Sequence, residues 1–246
     1  MNRQIIYSLL LSFCVTSIHG AAFGPDGFKC NSPIFYAALA EAAYQSHKHS
    51  AQSTINVYYN GATVVAHKEH FSKLFGKTTF IGVKDKFGNF HVAIEGSNSA
   101  HNWLGNAVAP INGLVNKYDV PEGTIKDMYK LIRRLTQQYG ALMSLIGHSQ
   151  GGMFASQIAS YQGKHDDKHK YKETQVITFN GFKIKPGKNQ IHFAIGNEMA
   201  ATLCSKDSRY TYLPHGGGKL AIGPNHGMKH FLNYLPHKNW PDVIKK

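Results

Sequence analysis

Gly147-His148-Ser149-Gln150-Gly151 places a hydroxyl between two glycines, each two residues away, with Gly152 immediately behind. Leu142 to Ile146 precedes this stretch as a short apolar run that suits a strand buried on both faces, and Met153 to Tyr161 follows as a helix-compatible run. Strand, tight turn and helix form the setting that presents a serine as a nucleophile. A side chain at either glycine would collide with the turn. With both absent, the serine can be held in a strained conformation, its Oγ clear of the strand end. It then stands near the first N–H groups of the following helix, which favour developing negative charge. The chemistry expected is attack on a carbonyl carbon. A Gly-x-Ser-x-Gly that fell by chance in a loop would lack the flanking strand and helix.

A serine nucleophile needs a base within hydrogen-bond reach and an acid that orients the base. In α/β-hydrolases these follow the serine in the order acid, then histidine. The histidines after Ser149 are His165, His169, His192, His215, His226 and His230. His165 and His169 lie in a Lys/Asp-rich stretch and read as solvated; His192 falls inside a strand pattern and reads as a core or edge residue. His226 stands in Gly223-Pro224-Asn225-His226-Gly227-Met228, a loop entering the last helix. A base delivered to the C-terminal edge of a sheet belongs there, so His226 is the expected base, with His230 second. These two are one helical turn apart, but no third ligand has suitable spacing, and neither a metal nor a cofactor is expected. For the acid, Glu198 in Gly196-Asn197-Glu198-Met199 follows the strand candidate Ile191 to Ile195. Asp207 is the fallback, and a surface carboxylate is the competing reading of Glu198.

The elements that must position these residues alternate between the two periodicities. Ser32 and Pro33 open an N-terminal helix, Ser32 as its cap and Pro33 in its first turn. Its face of Phe35, Leu39, Ala42 and Ala43 reads as core. Residues 51–77 are mixed, with a short strand expected at Ile55 to Tyr59. Thr78 to Val83 and Phe90 to Ile94 read as a hairpin around Asp85-Lys86-Phe87-Gly88-Asn89. Ala100 to Leu114 is apolar but broken by Gly105, Pro110 and Gly113, which suits a short helix and a loop. Glu122 to Tyr139 carries Ile125, Met128, Tyr129, Ile132 and Leu135 at helical spacing, with Lys126, Lys130, Arg133 and Arg134 opposite. Gly163 to Lys172 reads as a charged loop, Gln175 to Phe179 as a buried strand, and Met228 to Leu235 as a last helix. Strands alternating with helices predict an α/β fold, with a mostly parallel central sheet and helices on both faces.

Three separated stretches resemble the class 3, fungal-type lipase family of the α/β-hydrolase fold. Gly96-Ser97-Asn98-Ser99-Ala100-His101-Asn102-Trp103-Leu104 is similar to the family's Gly-Ser/Thr segment and the short helix with Asn/Asp-Trp behind it. Gly147 to Gly151 is similar to its nucleophile turn, and His226-Gly227-Met228-Lys229-His230-Phe231-Leu232 resembles its His-Ser-Leu/Met-x-x-Tyr-Leu ending. The resemblance implies that Ser97 supplies a backbone N–H, and its hydroxyl, to an oxyanion hole whose second donor is the N–H of Gln150. It also implies a lid helix over Ala100 to Val108 whose Trp103 and Leu104 meet lipid. Glu95 departs from the family, many members of which carry Arg there, and the family's usual Asp aligns with Asn197 or Glu198. The interval from Glu198 to His226 is short for fungal members and suggests a trimmed substrate-binding loop.

The chain has 246 residues. One positive charge in residues 1–4, an apolar run from Ile5 to Ile18, and Gly20, Ala21 and Ala22 after it read as a signal peptide over residues 1–22. Residues 23–246 are then expected to form a single domain, exported to a periplasm or secreted. Lys and Arg number 27 against 14 Asp and Glu, a net charge of +13. Such a surface suits anionic lipid, anionic polymer or nucleic acid, or serves solubility alone. No nucleic-acid module is visible, and the aromatics lie in core-like runs. Cys30 and Cys204, both beyond the leader, are a disulfide candidate in an exported protein; sequence leaves their separation open.

These readings converge on an exported serine esterase or lipase acting on triacylglycerol or phospholipid esters. In it Ser149 attacks, His226 takes the proton and Glu198 orients His226. The alternative is a non-catalytic protein of the same fold that binds anionic lipid or polymer surfaces. A peptidase or acyltransferase built on the same turn also fits the residues, and the oligomeric state is not encoded in any visible pattern.

Overall fold

A computed structural model describes residues 31–73, 75–97, 120–165, 174–181, 184, 189–195, 210–213, 227–236, 238 and 240. The leader expected over residues 1–22, the candidate pair Cys30 and Cys204, and the lid expected around Trp103 and Leu104 lie outside the described residues.

Helices α1 (Pro33–Ala42) and α2 (Lys48–Tyr58) lead into strands β1 (Thr63–Ser72), β2 (Gly76–Lys84) and β3 (Phe90–Ile94). Helix α3 (Glu122–Tyr139) returns the chain to β4 (Leu142–His148), and α4 (Gln150–His165) returns it to β5 (Gln175–Phe179). Strands β6 (Gln190–Ile195) and β7 (Tyr210–Leu213) and helix α5 (Lys229–Tyr234) follow. The seven strands form one sheet in the order β1-β2-β3-β4-β5-β6-β7. β1, β2 and β3 pair antiparallel, and every neighbour from β3 to β7 pairs parallel.

The alternation of side chains along each strand divides the interior into two cores. Ala93, Ile146, Ile177 and Phe179 face α1, α2 and α5. Val92, Ile94, Leu145 and Val176 face α3 and α4. That α3 and α4 share a face follows from handedness, because right-handed crossovers between strands laid down in one direction put their helices on one side. The sheet is therefore covered on both faces. Phe35, Leu39, Ala42 and Ala43 are all fully buried, as their spacing predicts. In α3, Ile125, Met128, Ile132 and Leu135 are buried while Lys126, Lys130, Arg133 and Arg134 are exposed.

Local structure departs from the sequence pattern in several places. Ile55 to Tyr59 is not a strand: Ile55 to Tyr58 close α2, whose Ala51 and Ile55 meet the core one turn apart. Val57 and Tyr58 are exposed there, so the β-branched and aromatic cluster reflects surface positions rather than strand propensity. Strand β1 lies within the mixed stretch, and a bulge between Val64 and Ala66 breaks its alternation. Ser32 makes no side-chain cap; it is its carbonyl that accepts the Phe35 N–H, at 3.0 Å. The helix α4 continues through Gly163 and Lys164, which composition alone assigns to a loop.

Candidate active site

Ser149 joins β4 to α4 with φ 53°, one of two non-glycine residues in the left-handed region among the described residues. A non-glycine backbone held there costs on the order of 1–3 kcal/mol and persists only where its surroundings over-determine it. They do so here. The Ser149 N–H donates to the Phe179 carbonyl on β5 at 2.9 Å, and the Ser149 carbonyl accepts from Gly152 at 3.0 Å and Met153 at 3.2 Å. A Cβ on Gly147 would collide with the Gly151 backbone, and a Cβ on Gly151 would collide with the Ile94 carbonyl of β3. Gly152 passes the Thr178 side chain with no slack, since its Cβ would lie 3.0 Å from that of Thr178. The first glycine thus clears the turn itself, and the second lets α4 start against the end of the neighbouring strand.

Ser149 is only 2 % exposed, and its Oγ has no hydrogen-bond partner among the described residues. A buried hydroxyl in that condition calls for a reason, because most buried polar atoms are paired. Gln150, half-buried, opens the 16-residue helix α4 directly beside it. The N–H groups that open a helix, here those of Gln150 and Gly151, have no acceptor within it and favour negative charge beside them.

The end of β3 lies against this turn. A Cβ on Gly96 would be 2.6 Å from the His148 carbonyl and 3.3 Å from Ser149 Cβ, so Gly96 and the half-buried Ser97 border the serine. Tyr44, just past α1, closes the same corner: its hydroxyl lies 2.7 Å from His148 Nδ1 and accepts the Gly96 N–H. Its ring meets the His148 imidazole edge-on at 5.8 Å between centroids. Burial, followed by the nearby carboxylates of Glu95 and Glu41, pushes the Tyr44 phenol well above its ordinary range, and it stays protonated. Glu95 is itself buried and accepts the Thr79 N–H at 2.8 Å, which ties the β3 end back to β2. On the other side Asn180, at φ 47°, accepts the Ile195 N–H through Oδ1 at 3.0 Å and donates its own N–H to the Phe193 carbonyl at 2.8 Å. It joins the C-terminal ends of β5 and β6.

Ser149, Ser97 and Gln150 are thus brought to one edge of the sheet. His226, Glu198, Asn197 and Asp207 lie outside the described residues. His192 is fully buried on β6, where Thr178 Oγ1 lies 2.9 Å from Nδ1 and Nε2–H donates to Gln190 Oε1 at 3.1 Å. His165 is half-exposed at the far end of α4, 3.8 Å from Glu122, with its ring tilted against that of Tyr161 at 4.2 Å between centroids. Sixteen residues at a rise of about 1.5 Å put it far from Ser149. Sequence reasoning missed Tyr44 and Asn180. Tyr44 ends an alanine-rich helix without any motif, and only the left-handed tolerance of asparagine hinted at Asn180.

The described residues also hold a Ser-His-Asp set that sequence order does not suggest. His91 Nε2–H donates to Asp85 Oδ2 at 3.2 Å, and His91 Nδ1 faces the Ser144 hydroxyl at 2.7 Å. His91 and Ser144 are 0 % exposed and sit opposite each other on β3 and β4. Asp85 also accepts from Asn31 Nδ2 at 2.7 Å, from Asn89 Nδ2 at 3.0 Å and from the Phe87 and Asn89 N–H groups at 2.9 Å. Burial raises the Asp85 pKa, but the bonds from His91, Asn31 and Asn89 outweigh it and hold the carboxyl well below its usual range. No substrate reaches this set.

The sequence-family model described as Serine hydrolase (FSH1) matches residues 26–210. Curated protein sequences gave no match. Among solved structures, lipase II from Rhizopus niveus is similar with a TM-score of 0.51 at 11% identity, covering 87% of this chain and 92% of that one. The lipase from Rhizopus microsporus var. chinensis is similar with a TM-score of 0.53 at 11% identity, over 87% and 85% of the two chains. A triacylglycerol lipase described as having a serine protease triad at its catalytic centre is similar with a TM-score of 0.52 at 12% identity, over 85% and 94%. At these identities the likeness is one of fold, the α/β-hydrolase fold.

Proposed function

Because the chain belongs to the Serine hydrolase (FSH1) family, whose model spans residues 26–210, we propose that it is an exported carboxylic-ester hydrolase acting on lipid esters through Ser149. The observation that carries the reading is the Ser149 turn: a left-handed serine between β4 and α4, cleared by Gly147 and Gly151, its hydroxyl without a partner among the described residues. In this reading Ser149 Oγ attacks the ester carbonyl carbon as its proton passes to His226. The N–H groups of Ser97 and Gln150 take the oxyanion, and Glu198, or Asp207 in its place, holds the imidazole. The proton then goes to the departing alcohol, leaving Ser149 acylated. Water, deprotonated by His226, releases the acid and restores the serine.

Lipid as the substrate class is supported by the resemblance of the three stretches to class 3 lipases and by the fold shared with the Rhizopus lipases. An anionic lipid surface as partner is supported by the net charge of +13 and by the β1–β2 hairpin. Its register sets Phe71 opposite Lys77, two residues beyond the Thr79 whose carbonyl accepts the Glu95 N–H at 2.9 Å. The hairpin therefore projects about 7 Å past that point, towards the edge where Ser149 lies, at roughly 3.3 Å per residue. Phe71 there is 77% exposed, with exposed Lys73 beside it. Residues 1–22 as a signal peptide and secretion of residues 23–246 as one domain complete the proposal.

The deciding experiment is labelling with an organophosphonate probe and mapping of the modified residue. Labelling at Ser149 that disappears in His226→Ala supports the reading. Folded, unlabelled protein that still binds anionic vesicles overturns it in favour of a non-catalytic surface-binding protein.

A further inference from the structure

We infer that Tyr44 is a positioning residue: its hydroxyl pins the end of β3 at Gly96 to His148 of the serine turn, and so sets where the Ser97 N–H stands relative to Ser149. The inference rests on the proposed roles of Ser149 and Ser97. Three parts of the chain that are remote in sequence meet at this one oxygen: the end of α1, the end of β3 and the residue before the serine. A phenol has one donor and can accept in return. The same hydroxyl lies 2.7 Å from His148 Nδ1, a hydrogen bond that either ring tautomer can make with it. Burial beside Glu95 and Glu41 keeps the phenol protonated, so a neutral hydroxyl stands between Gly96 and His148 at every working pH.

The corner leaves no freedom to substitute for that bond. A Cβ on Gly96 would collide with the Tyr44 hydroxyl itself and would come within 2.6 Å of the His148 carbonyl. Without the hydroxyl, the Gly96 N–H loses its acceptor and the Gly96-Ser97 backbone loses the contact that holds it against the turn. Oxyanion donors work only within a few tenths of an ångström of the developing charge, and a displacement of about 1 Å costs as much as a hundredfold in rate. Tyr44 is thus assigned to geometry rather than to the chemical steps.

Tyr44→Phe keeps the ring against His148 and removes only the hydroxyl. On a soluble short-chain ester the expected result is a fall of about tenfold in kcat with KM within about twofold, the pattern for an interaction that acts in the transition state. His148 supplies the second arm. His148→Leu should reproduce the loss, and His148→Asn, which returns an acceptor near the Nδ1 position, should recover most of it. Tyr44→Phe combined with His148→Leu should be no slower than either alone, because both break one link. A merely structural role would instead lower the unfolding midpoint and leave kcat per folded molecule unchanged. Wild type labelled at Ser149 together with Tyr44→Phe at wild-type kcat overturns this inference and leaves the serine reading intact. Absence of labelling in the wild type overturns the serine reading and this inference with it.

Discussion

Two serines meet histidine-bearing strands in this sheet, and their surroundings differ in every respect that matters for reactivity. Ser144 lies within β4, fully buried, opposite His91 and in line with Asp85. Ser149 lies five residues on, past the strand end, with a left-handed backbone and no partner for its Oγ among the described residues. The first set has the composition of a catalytic triad with none of its access. Its hydrogen bonds are complete, and Asn31 carries the network on to Tyr59 Oη at 2.8 Å and Trp240 Nε1 at 2.7 Å. Satisfied polar groups hold an interior together, whereas a strained and unsatisfied one is held by it. The chemistry proposed for Ser149 goes with the second condition, and residue identity alone does not distinguish the two.

Removing each hydroxyl separates the two serines by the largest margin. Ser149→Ala should lower ester hydrolysis by at least about a thousandfold with the fold intact, and Ser144→Ala should leave kcat within about threefold. Hydrolysis by Ser149→Ala at the wild-type rate would reverse the assignment. Next in size is the interior network: Asp85→Ala strands the Asn31 and His91 donors and should destabilise by about 3 kcal/mol in urea unfolding, with kcat of the folded fraction unchanged.

Acid sharpens the same contrast. The folded Asp85 pKa is depressed below its ordinary 3.8. Its contribution to stability is therefore full above the unfolded pKa and is lost as pH falls through the folded one. The stability gap between wild type and Asp85→Asn should be constant from about pH 5 to 7 and shrink below about pH 4. A gap that widened on acidification would contradict the depressed pKa.

Smaller effects are expected at the surface. Phe71→Ser should weaken binding to anionic vesicles several-fold and leave hydrolysis of a soluble ester unchanged. Phe87, 58% exposed in the turn at the opposite end of the sheet, provides the control, and Phe87→Ser should bind vesicles as wild type does. The exposed Lys130–Asp127 pair, 2.9 Å apart one turn along α3, should matter least, with Lys130→Ala unfolding at the wild-type midpoint.

The parts of the fold that were legible in the sequence are those where one periodicity runs unbroken. Glu122 to Tyr139 and Gln175 to Phe179 are seen from end to end, because burial repeats every 3.6 residues in the helix and the strand is buried on both faces. β1 was illegible because a bulge and edge exposure scramble its alternation, and β7 because four residues carry too little pattern. In α2, Ile-Asn-Val-Tyr suggests a strand until the core contacts of Ala51 and Ile55 decide for a helix.

By itself the sequence determined the α/β alternation and the strand–turn–helix around Ser149, because glycine spacing and apolar periodicity are local properties of the chain. It also singled out Ser97 and Gln150 as neighbours of that turn through family resemblance. Tertiary structure alone decided that Tyr44, more than one hundred residues before Ser149, closes the corner through His148 and Gly96, and that Asp85, His91 and Ser144 form a sealed interior network. Both depend on strand order and register, which bring distant residues within 3 Å or so of one another and leave no periodic trace in the chain.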